Sequence, residues 1–166
     1  MDLSVKFTIL FSIIEKAEVI GDKLLIFSQS LANLDLIEFF LSKKMTEYNE
    51  RYGVNTSYEE LIEITGGISH RWIPDIDYFR IDGKVKWDDR SKIIDKFNDP
   101  DNLRARLVLI STRAGGIGTN LIGANRCIIF DASWNPSNDT QAIFRIFRYG
   151  QKKPVYVYRF KAFGKY

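Results

Sequence analysis

Apolar positions near the N-terminus recur at helical spacing: Leu3, Phe7, Leu10, Ile14 and Ala17, with Gly21 placed to end the run. The spacing predicts a helix over residues 2–20. Lys23-Leu-Leu-Ile-Phe27 is then a short, continuous apolar run, the pattern of a strand buried on both faces. Leu34, Ile37, Leu41 and Met45 mark a second helix, for which Ser30 is the N-cap candidate. Over residues 52–77 the periodicity weakens. Ser57-x-x-Glu60 has the capping-box pattern of a short helix, and Gly66-Gly67 and Pro74 interrupt the chain beyond it, so this stretch reads as an insertion.

Tyr78–Ile81 predicts a second strand, ended by Asp82-Gly83. Trp87, Ile94 and Phe97 predict a helix stopped by Asn98-Asp99-Pro100. Leu107–Ile110 and Cys127–Phe130 are further strands. Asn135-Pro136 opens a helix that should run to Tyr149, with Gly150 at its end, and Val155–Phe160 is a fifth strand. Strand–helix alternation of this kind predicts an α/β fold over residues 1–166: one parallel sheet with helices on both faces. In such sheets ligands sit beyond the carboxyl ends of the strands. That singles out Ser28-Gln29, Asp82-Gly83, Ser111–Asn120 and Asp131–Pro136.

Composition narrows the chemistry. The 166 residues are 45% apolar and 27% charged, enough for a real core. A single cysteine, Cys127, excludes a disulfide scaffold or a Cys-rich zinc site, and its place in an apolar strand predicts a small buried hydrophobe. A single histidine, His70, argues against a His-based metal centre or a Ser-His-Asp triad, and it is expected at the surface of the insertion. No apolar run approaches the roughly 20 residues of a membrane span, so no membrane partner is expected. Twenty-four Lys+Arg against 21 Asp+Glu leave a formal charge of +3, which permits a nucleic-acid partner without requiring one.

Two segments carry candidate chemistry. Ser111-Thr-Arg-Ala-Gly-Gly-Ile-Gly-Thr-Asn120 comes directly after a strand and combines hydroxyls, an arginine and glycines, so its backbone N–H groups can approach an anion. Phosphate is the natural partner, although glycines alone also fit a tight turn without a ligand. In the helix opened by Pro136, Gln141, Arg145 and Arg148 fall at i, i+4 and i+7 on one stripe, and the rest of the circumference is almost wholly apolar. Such a helix should be buried, and its arginines then need an anion: a carboxylate of the fold, or phosphate, which guanidinium binds bidentately. Ile128-Ile-Phe-Asp131 looks like a metal-binding Walker B strand, but no G-x-x-x-x-G-K-[ST] occurs, and Asp131 reads as a loop residue at a strand end. Trp134 is expected to pack.

Taken in order, these segments resemble a known set. Lys23-Leu-Leu-Ile-Phe-Ser-Gln29 resembles helicase motif IV, Ser111–Leu121 motif V, Asp131-Ala-Ser-Trp-Asn-Pro136 its extension, and Gln141-Ala-Ile-Phe-Arg-Ile-Phe-Arg-Tyr-Gly-Gln151 motif VI. Arg80-Ile-Asp-Gly83 resembles the accompanying Asp-Gly element. The chain is identified by these motifs as similar to the second RecA-like lobe of the Swi/Snf-type ATPases of helicase superfamily two. Phe27–Glu38, Val155–Phe160 and the insertion resemble the ATRX branch of that family.

The resemblance implies a nuclear, chromatin-remodelling motor in which two RecA-like lobes close on ATP and move along double-stranded DNA and nucleosomes. ATP with Mg²⁺ would be held mainly by an N-terminal lobe, which carries the P-loop and is absent from this sequence, so the chain alone should not hydrolyse ATP. The short C-terminal stretch after the last strand, where the family continues, suggests a fragment or truncated product. Carried over, Arg145 and Arg148 would be arginine fingers supported by Gln141. Ser111 and Thr112 would touch a DNA phosphate, and Gly116, Gly118 and Asn120 would line the lobe interface. Lys84 stands where the family usually has a hydroxyl residue and could replace its DNA contact; Arg113 stands where lysine is common. The competing reading is a non-catalytic lobe that binds DNA or protein without turnover. A Rossmann-like dinucleotide enzyme would need a glycine fingerprint after the first strand, where Ser28-Gln-Ser30 stands instead.

Overall fold

The computed structural model of the chain describes residues 4–114, 120–131 and 136–161. Five strands form one parallel sheet: β1 (Leu24–Ser28), β2 (Tyr78–Ile81), β3 (Leu107–Ser111), β4 (Arg126–Ile129) and β5 (Tyr156–Arg159). Their order is β2-β3-β1-β4-β5, so β1 lies at the centre with Ser28 beside Ser111. The helices are α1 (Val5–Val19), α2 (Leu31–Tyr52), α3 (Tyr58–Thr65), α4 (Trp87–Asn98) and α5 (Pro136–Ile143).

Strand pleating sends alternate residues to opposite faces. Leu24, Ile26, Leu107, Leu109 and Ile128 pack against Phe7, Leu10, Phe11 and Ile14 of α1 and Leu34, Ile37 and Leu41 of α2. Leu25, Phe27, Val108, Ile110, Cys127 and Ile129 pack against Phe97 of α4 and Ala142 of α5. The result is the three-layer α/β arrangement expected from the continuous apolar runs. Cys127 is fully buried, and burial pushes its thiol up to about 12. None of the described helices is long and apolar enough to cross a membrane.

Local signals act where the sequence puts them. Ser30 caps α2 by accepting from the Asn33 N–H, and Ser57 and Glu60 form a reciprocal capping box on α3. Gly21, with φ +70°, turns the chain from α1 into β1.

The segment between α2 and β2 is pinned by buried charges at the amino ends of the strands. Arg106 donates to Glu18 Oε1 and, at 3.0 Å, to the Ser69 hydroxyl, and its guanidinium lies 4.2 Å from the Trp72 ring centroid. Ser69 itself donates to Glu18 Oε1 through its N–H (2.9 Å) and hydroxyl (2.7 Å). Arg104 holds Asp77 through two bonds of 3.0 and 2.9 Å.

Two expectations are corrected. His70 is half-buried rather than on the surface, with its ring 4.3 Å from that of Tyr48. The segment between α2 and β2 folds back over α1 and α2, and burial lowers the imidazole's proton affinity. The last helix ends at Ile143 instead of Tyr149. Beyond it the amides turn to nearer carbonyls, Arg145 N bonding Ala142 O at 3.1 Å and Ile146 N bonding Ile143 O at 3.2 Å, while Arg145 O accepts from Leu121 N at 3.1 Å. The chain beyond Ile143 continues in tighter turns, with Phe144 and Phe147 exposed and Ile146 buried.

Removing one member of a buried ion pair leaves the other charge uncompensated. Arg106→Leu should lower the unfolding free energy by about 3–5 kcal/mol, and Glu18→Leu combined with it should recover most of that loss. Urea denaturation of the two variants beside the wild type checks this.

Candidate functional site

The sheet order reverses at β1: β2 and β3 lie on one side, β4 and β5 on the other. A crevice at the carboxyl end of such a switch point is where an open α/β sheet receives a ligand. The residues there are Ser28 on β1, Ser111 and Thr112 at the end of β3, Asp131 after β4, and the Asp82–Val85 turn after β2.

Asp131 organises the crevice. Its carboxylate accepts from the Ser28 hydroxyl, from Lys6 of α1 at 2.9 Å and from the Asn33 amide of α2 at 3.1 Å. Burial pushes the carboxyl up, but the bonds from Ser28, Lys6 and Asn33 outweigh it and hold Asp131 below the usual carboxylate range. Ser28 passes the constraint on: its carbonyl accepts both the Thr112 N–H at 3.0 Å and the Thr112 hydroxyl at 3.2 Å. The Thr112 hydroxyl therefore has lone pairs free to accept but its proton already committed. Ser111 is buried beside it, and Arg113 is exposed.

After β2, Asp82 accepts from the Lys84 N–H at 2.9 Å and from Arg80 Nε at 3.0 Å. Arg80 also bonds Asp35 and Glu38 of α2, each at 2.5 Å. The Lys84 side chain is left exposed on a fixed turn. Arg90 of α4, buried under this turn, donates to the carbonyls of Val85 and Asp82 at 2.9 Å and to that of Ala114 at 3.4 Å.

Of the other sequence-derived candidates, Gly116, Gly118 and Trp134 lie outside the described residues. Asn120 is exposed, and its carbonyl accepts from the Asn98 side chain at 2.8 Å. The same side chain takes the Gly123 N–H at 2.9 Å, and a Cβ at Gly123 would stand 2.7 Å from Phe97 O, so residues 120–123 lie directly on the end of α4.

Because the helix ends early, Gln141, Arg145 and Arg148 do not form one stripe on a buried helix. Gln141 and Arg148 are exposed, and Arg148 Nε donates to Phe144 O at 3.0 Å. Arg145 is buried, and its Nε has no hydrogen-bond partner among the described residues. Burial and the neighbouring Arg148 charge both lower its proton affinity. Among the described residues neither Arg90, Arg145 nor Arg148 is in a salt bridge, unlike Arg104, Arg106 and Arg126.

Sequence reading missed Arg90 and the role of Asp131. Arg90 sits among polar residues on a helix with an exposed side, where an arginine carries no signal of burial. Asp131 was legible only as a strand-end carboxylate.

A five-stranded parallel sheet in the order β2-β3-β1-β4-β5, covered by helices on both faces, is the architecture of a RecA-like lobe. The helicase conserved C-terminal domain family matches residues 46–150, and the chain belongs to that family. It is 52% identical to Transcriptional regulator ATRX of Mus musculus over 167 residues, covering 99% of this chain and 6% of that protein. It is 53% identical to the Caenorhabditis elegans ATRX homolog, covering 98% of this chain and 12% of the relative. With Helicase ARIP4 of Homo sapiens it shares 48% identity over 98% of this chain and 10% of that protein. The chain thus spans only a small part of the curated relatives it matches. Its fold matches the crystal structure of the C-terminal part of the Fun30 ATPase domain with a TM-score of 0.69 and 32% identity, over 94% of this chain and 40% of that one. The resemblance to Swi/Snf-type remodellers, and to the ATRX branch within them, holds over nearly the whole chain.

A carboxyl held below its usual range in the fold contributes stability that is present above its unfolded value, near 4, and is lost as pH falls through the folded value. Asp131→Asn should therefore lower stability at neutral pH and flatten its decline below about pH 4. Denaturation of both proteins from pH 7 to pH 2.5 measures the difference.

Proposed function

We propose that the chain is the second motor lobe of an ATP-dependent double-stranded-DNA translocase of the chromatin-remodelling, nuclear kind. In this reading it supplies arginine fingers and DNA-backbone contacts and is inactive as an ATPase alone. The observation that carries the reading is Arg145: a buried guanidinium whose Nε lacks a partner among the described residues, next to a second arginine. Buried cations are ordinarily paired. One buried guanidinium with an unpartnered Nε, beside a second, exposed arginine, suits a polyphosphate arriving from outside the lobe. Family membership supports the same direction, as do the names of the relatives, which are transcriptional regulators and a helicase.

ATP with Mg²⁺ would be held mainly by an N-terminal RecA-like lobe. Here Arg145 and Arg148 would meet the charge that shifts toward the transferring phosphoryl oxygens. Gln141, exposed one turn before Arg145, would support them. Asn120, Gly116 and Gly118 would line the closing interface. Thr112, Ser111 and Lys84 would meet phosphates of a duplex strand; a phosphodiester oxygen only accepts, so the Thr112 hydroxyl would turn its proton from Ser28 O to the phosphate while its N–H keeps the Ser28 bond.

The chain alone should show no DNA-stimulated ATP hydrolysis, and turnover that persists through successive purification steps would overturn the reading. Joined to a P-loop lobe, Arg148→Ala should cut stimulated hydrolysis by roughly 10³–10⁵ with DNA affinity within a few-fold. Arg148→Lys should restore little, because an ammonium cannot reproduce the guanidinium fork. A normal melt with lost turnover supports the finger. A normal melt with normal turnover leaves a lobe that binds without catalysing.

Duplex DNA should bind the isolated chain weakly and without sequence preference, since phosphate contacts position a protein but read no bases. The salt dependence should be shallow, log K falling by about 0.9 per neutralised phosphate for each decade of salt. Anisotropy titrations on unrelated duplexes at several salt concentrations test this, and tight, salt-insensitive, sequence-specific binding would contradict it.

A further inference from the structure

Arg90 is 7% exposed, and no carboxylate among the described residues lies within ion-pair distance of it. Arg106, equally buried, has Glu18 and Asp77, and Arg126 has Asp22. Arg90 instead spends its guanidinium on backbone. Nε reaches Val85 O at 2.9 Å, Nη2 reaches Asp82 O at 2.9 Å, and Nη1 reaches Ala114 O at 3.4 Å.

These carbonyls belong to two separate turns. Val85 N bonds Asp82 O at 3.3 Å, closing the turn after β2, and Ala114 N bonds Ser111 O at 2.9 Å, closing the turn after β3. The strands below are adjacent and in register, Ile81 beside Ile110, but the sheet ladder ends there. Beyond it the guanidinium crosses between the two turns. Only a planar fork with several donors at fixed angles can hold carbonyls on two turns at once; an ammonium concentrates its donors at one point. Carbonyl oxygens satisfy the donors without cancelling the charge, so a full positive charge stays beneath both turns.

We propose that Arg90 is a positioning residue that clamps the Asp82–Val85 turn to the Ser111–Ala114 turn, so that Lys84 and Thr112 meet one stretch of duplex backbone together. The proposal rests on the reading of these turns as backbone-contact elements. It adds the residue that sets their spacing and keeps its charge unneutralised below them.

The test uses the full chain, a mixed-sequence DNA duplex and the variants Arg90→Lys and Arg90→Met, with a thermal melt beside each binding titration. Arg90→Lys keeps the charge and loses the fork. It should melt cooperatively yet bind about tenfold more weakly, with a salt slope shallower by roughly one phosphate contact. Arg90→Met should bind more weakly still. An Arg90→Lys protein that melts cooperatively and binds with wild-type affinity and slope overturns the clamp, as a merely structural arginine predicts. If neither variant melts cooperatively, the wild-type Arg90 Nε–H resonance decides. A shift that saturates together with the Thr112 amide on adding duplex supports the clamp, and a resonance that stays fixed while Thr112 moves overturns it. Wild-type chain that binds no duplex at any salt concentration removes the backbone-contact reading and the clamp with it, which separates that failure from one confined to the variants.

Discussion

The rest of the fold depends on the burial of β1. Its five residues, Leu24–Ser28, are all buried, and it pairs with β3 on one side and β4 on the other. A strand without a solvent face needs a covering layer on each side of the sheet. Helices α1 and α2 supply one layer, and α4 and α5 the other. Placing this strand at the centre also makes it the point where the chain's progress across the sheet reverses. Ser28, Thr112 and Asp131, at the carboxyl ends of β1, β3 and β4, then meet at one edge, so one packing requirement accounts for both the core and the location of the candidate site.

Buried charge is distributed unevenly along the strand axis. At the amino ends, cations meet carboxylates: Arg106 with Glu18, Arg104 with Asp77, and Arg126 with Asp22. These pairs join the segment between α2 and β2, the chain entering β1 and the start of β4 into one framework. At the carboxyl ends, Asp131 meets Lys6 and Asp82 meets Arg80, but buried Arg90 has no salt bridge among the described residues. Charges that close on one another stabilise geometry, whereas charges that stay open favour an anion. The end of the sheet with unspent positive charge is the end where the fold gathers its after-strand turns.

Asp131 shows how one carboxylate can serve both packing and site. Lys6, Ser28 and Asn33 come from three elements, α1, the end of β1 and α2. Their meeting on one side chain transmits the placement of α1 to Ser28 and, through the Ser28 carbonyl, to Thr112. A strand-end acid that resembles a metal ligand in sequence is here an acceptor for the protein's own donors.

The sequence by itself determined the layer architecture, because continuous apolar runs and helical periodicity report burial directly: β1, β3 and β4 lie within a residue of their runs. Capping chemistry was legible for the same reason, since Ser30, Ser57 and Glu60 act on neighbours three residues away. The family motifs were legible too. Tertiary structure alone decided three matters. It ended α5 at Ile143, where the following amides bond carbonyls three residues back and Leu121 takes Arg145 O. It buried Arg145 while leaving Arg148 and Gln141 outside, which spacing on an ideal helix cannot distinguish. And it placed Arg90 under two turns whose carbonyls come from positions 5 and 8 residues before it and 24 residues after it. Periodicity reports which face of an element is covered. It does not report which distant backbone groups will reach a side chain there, because that depends on how strands β2 and β3 are brought together.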